Sequence, residues 1–209
     1  DINGNVYTIG YFYGTVDFDP GPGLEEITSI GNGEAFILKL NSNGDFVWVQ
    51  HMGTWGNSLT TDTDGNIYAA GYMEIDGNFG TIPVTTNGSI DGFICKLDTD
   101  GNFIWAENIG GTGSDFANSI AVVPTADNHD VYVTGTFRST VDFDPGAGVT
   151  PLSSVAGSDD VFVLKLDENG SFLWAKSMGG SKSEWATSIT VLMGKVFLTG
   201  YFNDTNPND

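Results

Sequence analysis

One pattern of roughly 60 residues runs through this chain more than three times, and any fold must accommodate it. NVYTIGYF (5–12), NIYAAGYM (66–73), DVYVTGTF (130–137) and KVFLTGYF (195–202) are one element. Its glycines, Gly10, Gly71, Gly135 and Gly200, fall 61, 64 and 65 residues apart. A second element is AFILKL (35–40), GFICKL (92–97) and VFVLKL (161–166). A third, after a turn, is DFVWVQHMG, NFIWAENIG and SFLWAKSMG, with Trp48, Trp105 and Trp174 in register. A fourth opens on an aromatic residue: WGNSLTT from Trp55, FANSIAV from Phe116 and WATSITV from Trp185.

Every element is short, rich in β-branched and aromatic residues, and bounded by Gly, Asn or Asp, which are strand signals. Several are apolar on both faces, which predicts strands covered on both sides. No window has the periodicity of an amphipathic helix. NSNGD, DTDGN and DENGS join the second element to the third, and DINGN and DTDGN precede the first. Their Asn-Gly and Asp-Gly pairs supply the positive φ angles of tight hairpins. The predicted unit is therefore a four-stranded antiparallel meander. Tandem meanders covered on both faces describe an all-β fold, a β-propeller of four-stranded antiparallel blades, with roughly three blades' worth present. With each blade starting at the fourth element, residues 1–53 are the last three strands of one blade. Residues 54–111 and 112–180 are whole blades, and 181–209 start the next. The repeated tryptophans and phenylalanines are expected to fill the wedges between blades. Each would remove roughly 150–250 Å² from water.

The blocks DGNIYAAGY, DGFICKLDTDGNFIWAENIGGTGSDFANSIAV and VDFDPGAG resemble the bacterial β-propeller repeat called SBBP, over essentially the whole chain. The resemblance implies a segment of a large secreted or surface protein of Bacteroidota-like bacteria, often exported by type IX secretion. The family has no agreed catalytic residues, so the resemblance implies fold and location rather than chemistry. The chain opens on DINGNVYTIG, without Met or a leader, which reads as a processed or excerpted sequence.

Acids number 27 against 7 bases, a formal net charge of −20. Such a surface repels nucleic acid, whose binding depends on neutralised phosphates. No apolar run approaches a membrane span, so direct insertion is not expected. The single cysteine, Cys95, excludes an internal disulfide and reads as a core hydrophobe. His51 and His129 are too few for a histidine metal cage and read as incidental. No nucleophile elbow, histidine triad, phosphate loop or zinc signature is present.

Two sets of residues remain. TVDFDPGPG (15–23) and TVDFDPGAG (140–148) place Asp17, Asp19, Asp142 and Asp144 in Pro-Gly loops. Their carboxylates could contribute two calcium ligands per loop or accept the N–H groups of a turn. The middle repeat, IDGNFGTIPVTT, lacks the pair, which favours the turn and leaves calcium as the one conceivable cofactor. DTDGN at Asp62 and Asp98 lacks the Gly and Glu positions of an EF-hand and reads as a hairpin. Lys39, Lys96 and Lys165 share one repeat position and account for three of the seven bases. A carboxylate partner, on the same or the next blade, is expected for each. The functional expectation is a non-catalytic module at the cell exterior, serving protein or glycan interaction, adhesion or scaffolding. Its other contacts would be neighbouring blades or domains of a longer chain. A propeller enzyme acting on polysaccharide and a calcium-stabilised scaffold are the alternatives. Irregular loop positions, Tyr13, Glu74 to Phe79 and Arg138, are the candidate contacts.

Overall fold

A computed structural model describes residues 1–30, 33–52, 54–125 and 128–203. The described chain is strands and turns, with a single 3-10 turn at Val155–Gly157. The first sheet joins β1 (Val6–Phe12), β4 (Glu34–Leu40) and β5 (Phe46–Met52). Between β1 and β4 lies a two-stranded hairpin, β2 (Thr15–Asp17) with β3 (Glu26–Thr28). The second sheet has four strands: β6 (Trp55–Thr61), β7 (Ile67–Met73), β10 (Asp91–Leu97) and β11 (Phe103–Ile109). Its hairpin is β8 (Gly77–Phe79) with β9 (Ile82–Val84). The third sheet repeats this with β12 (Phe116–Pro124), β13 (His129–Arg138), β16 (Asp159–Asp167) and β17 (Phe172–Met178). Its hairpin is β14 (Thr140–Asp142) with β15 (Pro151–Ser153). β18 (Glu184–Leu192) pairs with β19 (Lys195–Phe202) as a fourth, two-stranded sheet. All ladders within these sheets are antiparallel.

Successive sheets pack face to face, so the middle sheet is covered twice. Ile67, Ala69, Phe93, Cys95 and Leu97 point towards the first sheet and meet Ala35, Ile37 and Met52. The intervening residues Tyr68, Ala70 and Ile94 point the other way, into a core with Val131, Val133, Phe162 and Leu164. This is why all seven residues of β10 are buried. The period of two puts alternate side chains on opposite faces, and both faces here are apolar. Four-stranded sheets stacked in chain order form a propeller-type fold.

The repeat glycine has a specific cause. β6, β12 and β18 each carry a bulge just after the opening aromatic, opposite Gly71, Gly135 and Gly200. The bulge swings the carbonyl of Trp55, Phe116 or Trp185 onto the glycine. A Cβ there would strike that oxygen, and at Gly71 and Gly135 also the ring of Phe93 or Phe162. Gly10 faces only the ring of Phe36.

The repeated tryptophans differ from expectation. Trp48, Trp105 and Trp174 are half-buried, at the rims of the seams rather than inside them. An indole N–H needs an acceptor, and the rim provides one. The wedges themselves are filled by Phe79, Phe93, Phe143, Phe162 and Tyr68.

Candidate functional site

Antiparallel meanders give the molecule two ends. One carries the tight hairpins and the other the longer loops with β2–β3, β8–β9 and β14–β15.

At the hairpin end, seams between sheets are fastened to backbone. Lys39 Nζ and Trp48 Nε1 both donate to the Thr99 carbonyl of the next sheet, at 2.8 and 3.3 Å. Lys96 Nζ and Trp105 Nε1 donate to the Glu168 carbonyl of the sheet after it, at 3.2 and 3.1 Å. Among the described residues, Lys165 alone of the three meets a carboxylate, Asp130 of its own sheet, at 2.7 Å. The expected Lys–carboxylate partnership therefore holds at one position, and the other two lysines take a main-chain oxygen. In the accepting hairpins the turn aspartates are engaged within the turn itself. Asp98 and Asp167 each accept two backbone N–H groups within the turn. The lysines also lie over tyrosine rings, Lys39 on Tyr7, Lys96 on Tyr68 and Lys165 on Tyr132. A second fastening uses the Asn-Ser of the fourth element. Asn57 donates to the Ala117 carbonyl and Asn118 to that of Ala186, at 3.1 and 2.9 Å. Ser58 and Ser119 accept the N–H groups of Ile120 and Ile189.

At the loop end, the aspartates of the Pro-Gly loops organise turns. Asp17 Oδ1 accepts from the N–H groups of Asp19 and Glu25, and Asp142 Oδ1 from those of Asp144 and Thr150. Asp19 and Asp144 accept from Gly21 and Gly146. The Asp19 and Asp144 carboxylates also rest where a Cβ of Gly23 or Gly148 would lie, so a side chain at either position would have to displace the carboxylate from its turn. What ties these loops down is the residue between the aspartates. Phe18 lies 4.9 Å from Phe36, and Phe143 lies 4.9 Å from Phe162. The middle repeat keeps that anchor, Phe79 at 5.0 Å from Phe93, but turns directly at Gly80 and so needs no aspartates. Among the irregular positions, Phe79 is thus core, while Arg138 is held by Asp159 through Nε and Nη2 at 2.7 and 2.9 Å.

Buried carboxylates cluster at the same end and were not anticipated. Glu34, Asp91 and Asp160 occupy one repeat position, just before the second element. Glu34 bonds His51 Nδ1 at 2.9 Å, Asp91 accepts from Asn108 and the Asn87 N–H, and Asp160 accepts from Val155 and Ser158. Asp115 precedes Phe116 and accepts the N–H groups of Gly111 and Arg138. Burial pushes its carboxyl up to about 6, with Asp91 and Asp159 adding to the shift against those two N–H bonds. Their repetition before an aromatic residue was a legible signal.

Above these acids runs a ladder of rings. Tyr11 meets Trp55 at 4.5 Å, Trp55 stacks on Tyr72 at 5.9 Å, and Tyr72 meets Phe116 at 5.1 Å. Phe116 meets Trp185 at 5.7 Å, and Trp185 stacks on Tyr201 at 6.4 Å. Tyr13 closes on both Tyr11 and Trp55. Tyr11 and Tyr13 are more than half exposed, and Trp55, Tyr72, Phe116 and Trp185 are half-buried. The ladder crosses every seam of the described chain. It comes from the aromatic that opens the fourth element and the tyrosine after the repeat glycine.

Residues 52–72 match the Beta-propeller repeat family, SBBP. In the structure they run from the end of β5 across β6 to β7, the stretch that builds one seam. The chain is also 24% identical over 263 aligned residues to "Uncharacterized WD repeat-containing protein L264" of Acanthamoeba polyphaga mimivirus. That alignment covers 97% of this chain and 19% of the relative, so the chain spans about a fifth of the length of the relative it matches.

Proposed function

We propose that this chain is a non-catalytic interaction module, a run of propeller blades in a longer secreted or cell-surface protein. Its aromatic ladder receives a partner protein or glycan. The ladder carries this reading. Single exposed aromatics are ordinary on a protein surface, but rings in contact across successive sheets form a patch of the kind that marks an interface. Flat faces with polar hydroxyl edges suit sugar rings and extended peptide alike. The net charge of −20 disfavours nucleic acid as the partner. The acids near the ladder support a structural role. Asp115 and Asp160 are buried with both oxygens held by the surrounding turns, and Asp91 is buried with Oδ2 held by Asn87 and Asn108, so all three are sequestered from a substrate. Two relationships support the longer chain: the match to a repeat family and the relative about five times as long.

The test is a screen of glycans and of extracellular proteins for binding, followed through tryptophan fluorescence. Tyr13→Ala and Trp55→Ala are expected to weaken a bound ligand by about tenfold or more, as loss of an aromatic hot spot does. Binding unchanged in both variants, or turnover of a glycan, would overturn the reading.

A further inference from the structure

At the hairpin end of the seam between the second and third sheets, we propose a binding site for a first-row divalent cation of the zinc type. It would be formed by His129 and Glu168 of the third sheet and Asp62 of the second, with Asp64 at its mouth. His129 is the decisive residue. Only 8% of its side chain is exposed, and its Nδ1 is sealed from solvent without a hydrogen bond. Two carboxylates converge on that nitrogen, Glu168 Oε2 at 3.5 Å and Asp62 Oδ2 at 3.9 Å. Both miss hydrogen-bonding geometry. Ligand atoms about 2.0–2.2 Å from a tetrahedral Zn²⁺ stand roughly 3.3–3.6 Å apart, which is close to the spacing found. One ligand atom from each of Asp62, Asp64 and His129 lies within 4.8 Å of the others.

The surroundings fit a metal ligand. The other ring nitrogen, Nε2, bonds the Thr63 hydroxyl at 2.9 Å, and a donated Nε2–H leaves the Nδ1 lone pair facing the carboxylates. Asp62 is oriented by Asn66 and by the Tyr68 hydroxyl. Nitrogen beside carboxylate selects zinc-like ions over calcium, which takes oxygen alone.

The preceding seam supplies an internal comparison. There the positions of Asp62, Thr63 and Asp64 are held by Asp1, Ile2 and Asn3, and those of His129 and Glu168 by Gly65 and Thr99. Four of the five positions differ, and of these two seams the second alone has the imidazole, its hydroxyl partner and the extra carboxylates together. The repeat does not need this set for folding, so a separate role accounts for it. Bound at this point, the ion clamps two blades together.

Titration of the metal-free full chain with Zn²⁺ near neutral pH tests the site. One saturable equivalent is expected, with a rise in melting temperature that a chelator reverses. Glu168→Gln and His129→Gln should each weaken binding at least about tenfold, and Thr63→Val by a similar factor through loss of ring orientation. Calcium in about hundredfold excess should not displace the zinc. Should His129→Gln fail to fold, Co²⁺ bound to the wild-type chain decides: an intense tetrahedral visible band is expected. Absence of a saturable equivalent, equal affinity in the Glu168→Gln variant, or a spectrum no different from hydrated Co²⁺ would overturn the proposal.

Discussion

Asp115 is a buried carboxyl at the loop end, and burial raises its hold on a proton. Its folded pKa, near 6, lies above the value of about 3.8 for a free aspartate. The folded state therefore holds the proton more tightly than the unfolded one. Its contribution to stability is full below about pH 3.8 and is lost as pH rises through about 6. At 1.36 kcal/mol per unit, the loss is roughly 2–3 kcal/mol. Urea denaturation of wild type and Asp115→Asn, followed from pH 4 to 7, checks this. The variant should lose less stability over that interval, and parallel profiles would contradict the assignment.

At the scale of elements, the loop hairpins decide between two explanations of the DFDPG sequence. If the phenylalanine is the anchor, Phe143→Ala should cost about 3–5 kcal/mol, as for other buried aromatics. Asp142→Asn should cost no more than about 1.5 kcal/mol, the value of a hydrogen bond or two. Chemical denaturation of both variants measures the contrast, and equal losses would return the aspartates to first place. The strands and tight hairpins were legible because their signals are local: alternate β-formers, then Asn-Gly or Asp-Gly. The hairpin β8–β9 was not, because its conserved part is one phenylalanine in a differently closed turn. The seam bonds of Lys39, Lys96, Trp48 and Trp105 were legible only on the donor side. A main-chain carbonyl accepts them, and no residue type announces a carbonyl. His129 escaped for the opposite reason. It departs from the repeat, and its partners come from two other hairpins.

For the whole molecule, stability is a sum of sheet terms and seam terms between nearest neighbours. Trp105 serves one seam, by its ring against Gly170 and its N–H on the Glu168 carbonyl. Trp105→Ala should therefore cost about 3 kcal/mol and uncouple the sheets it joins. Hydrogen exchange would show β10 and β16 opening with different free energies in the variant and together in the wild type. A uniform loss across all sheets would argue against a modular molecule.

The acceptors at Thr99 and Glu168 are main-chain oxygens, so neither residue's identity enters the bond that joins one sheet to the next. A hairpin of the right shape is enough. As far as these bonds go, sheets in such a chain are interchangeable parts: one can be duplicated, deleted or transplanted without rewriting the lysine and tryptophan that grip it. A tandem array of this kind can lengthen by copying, while its exposed loops diverge towards new tasks.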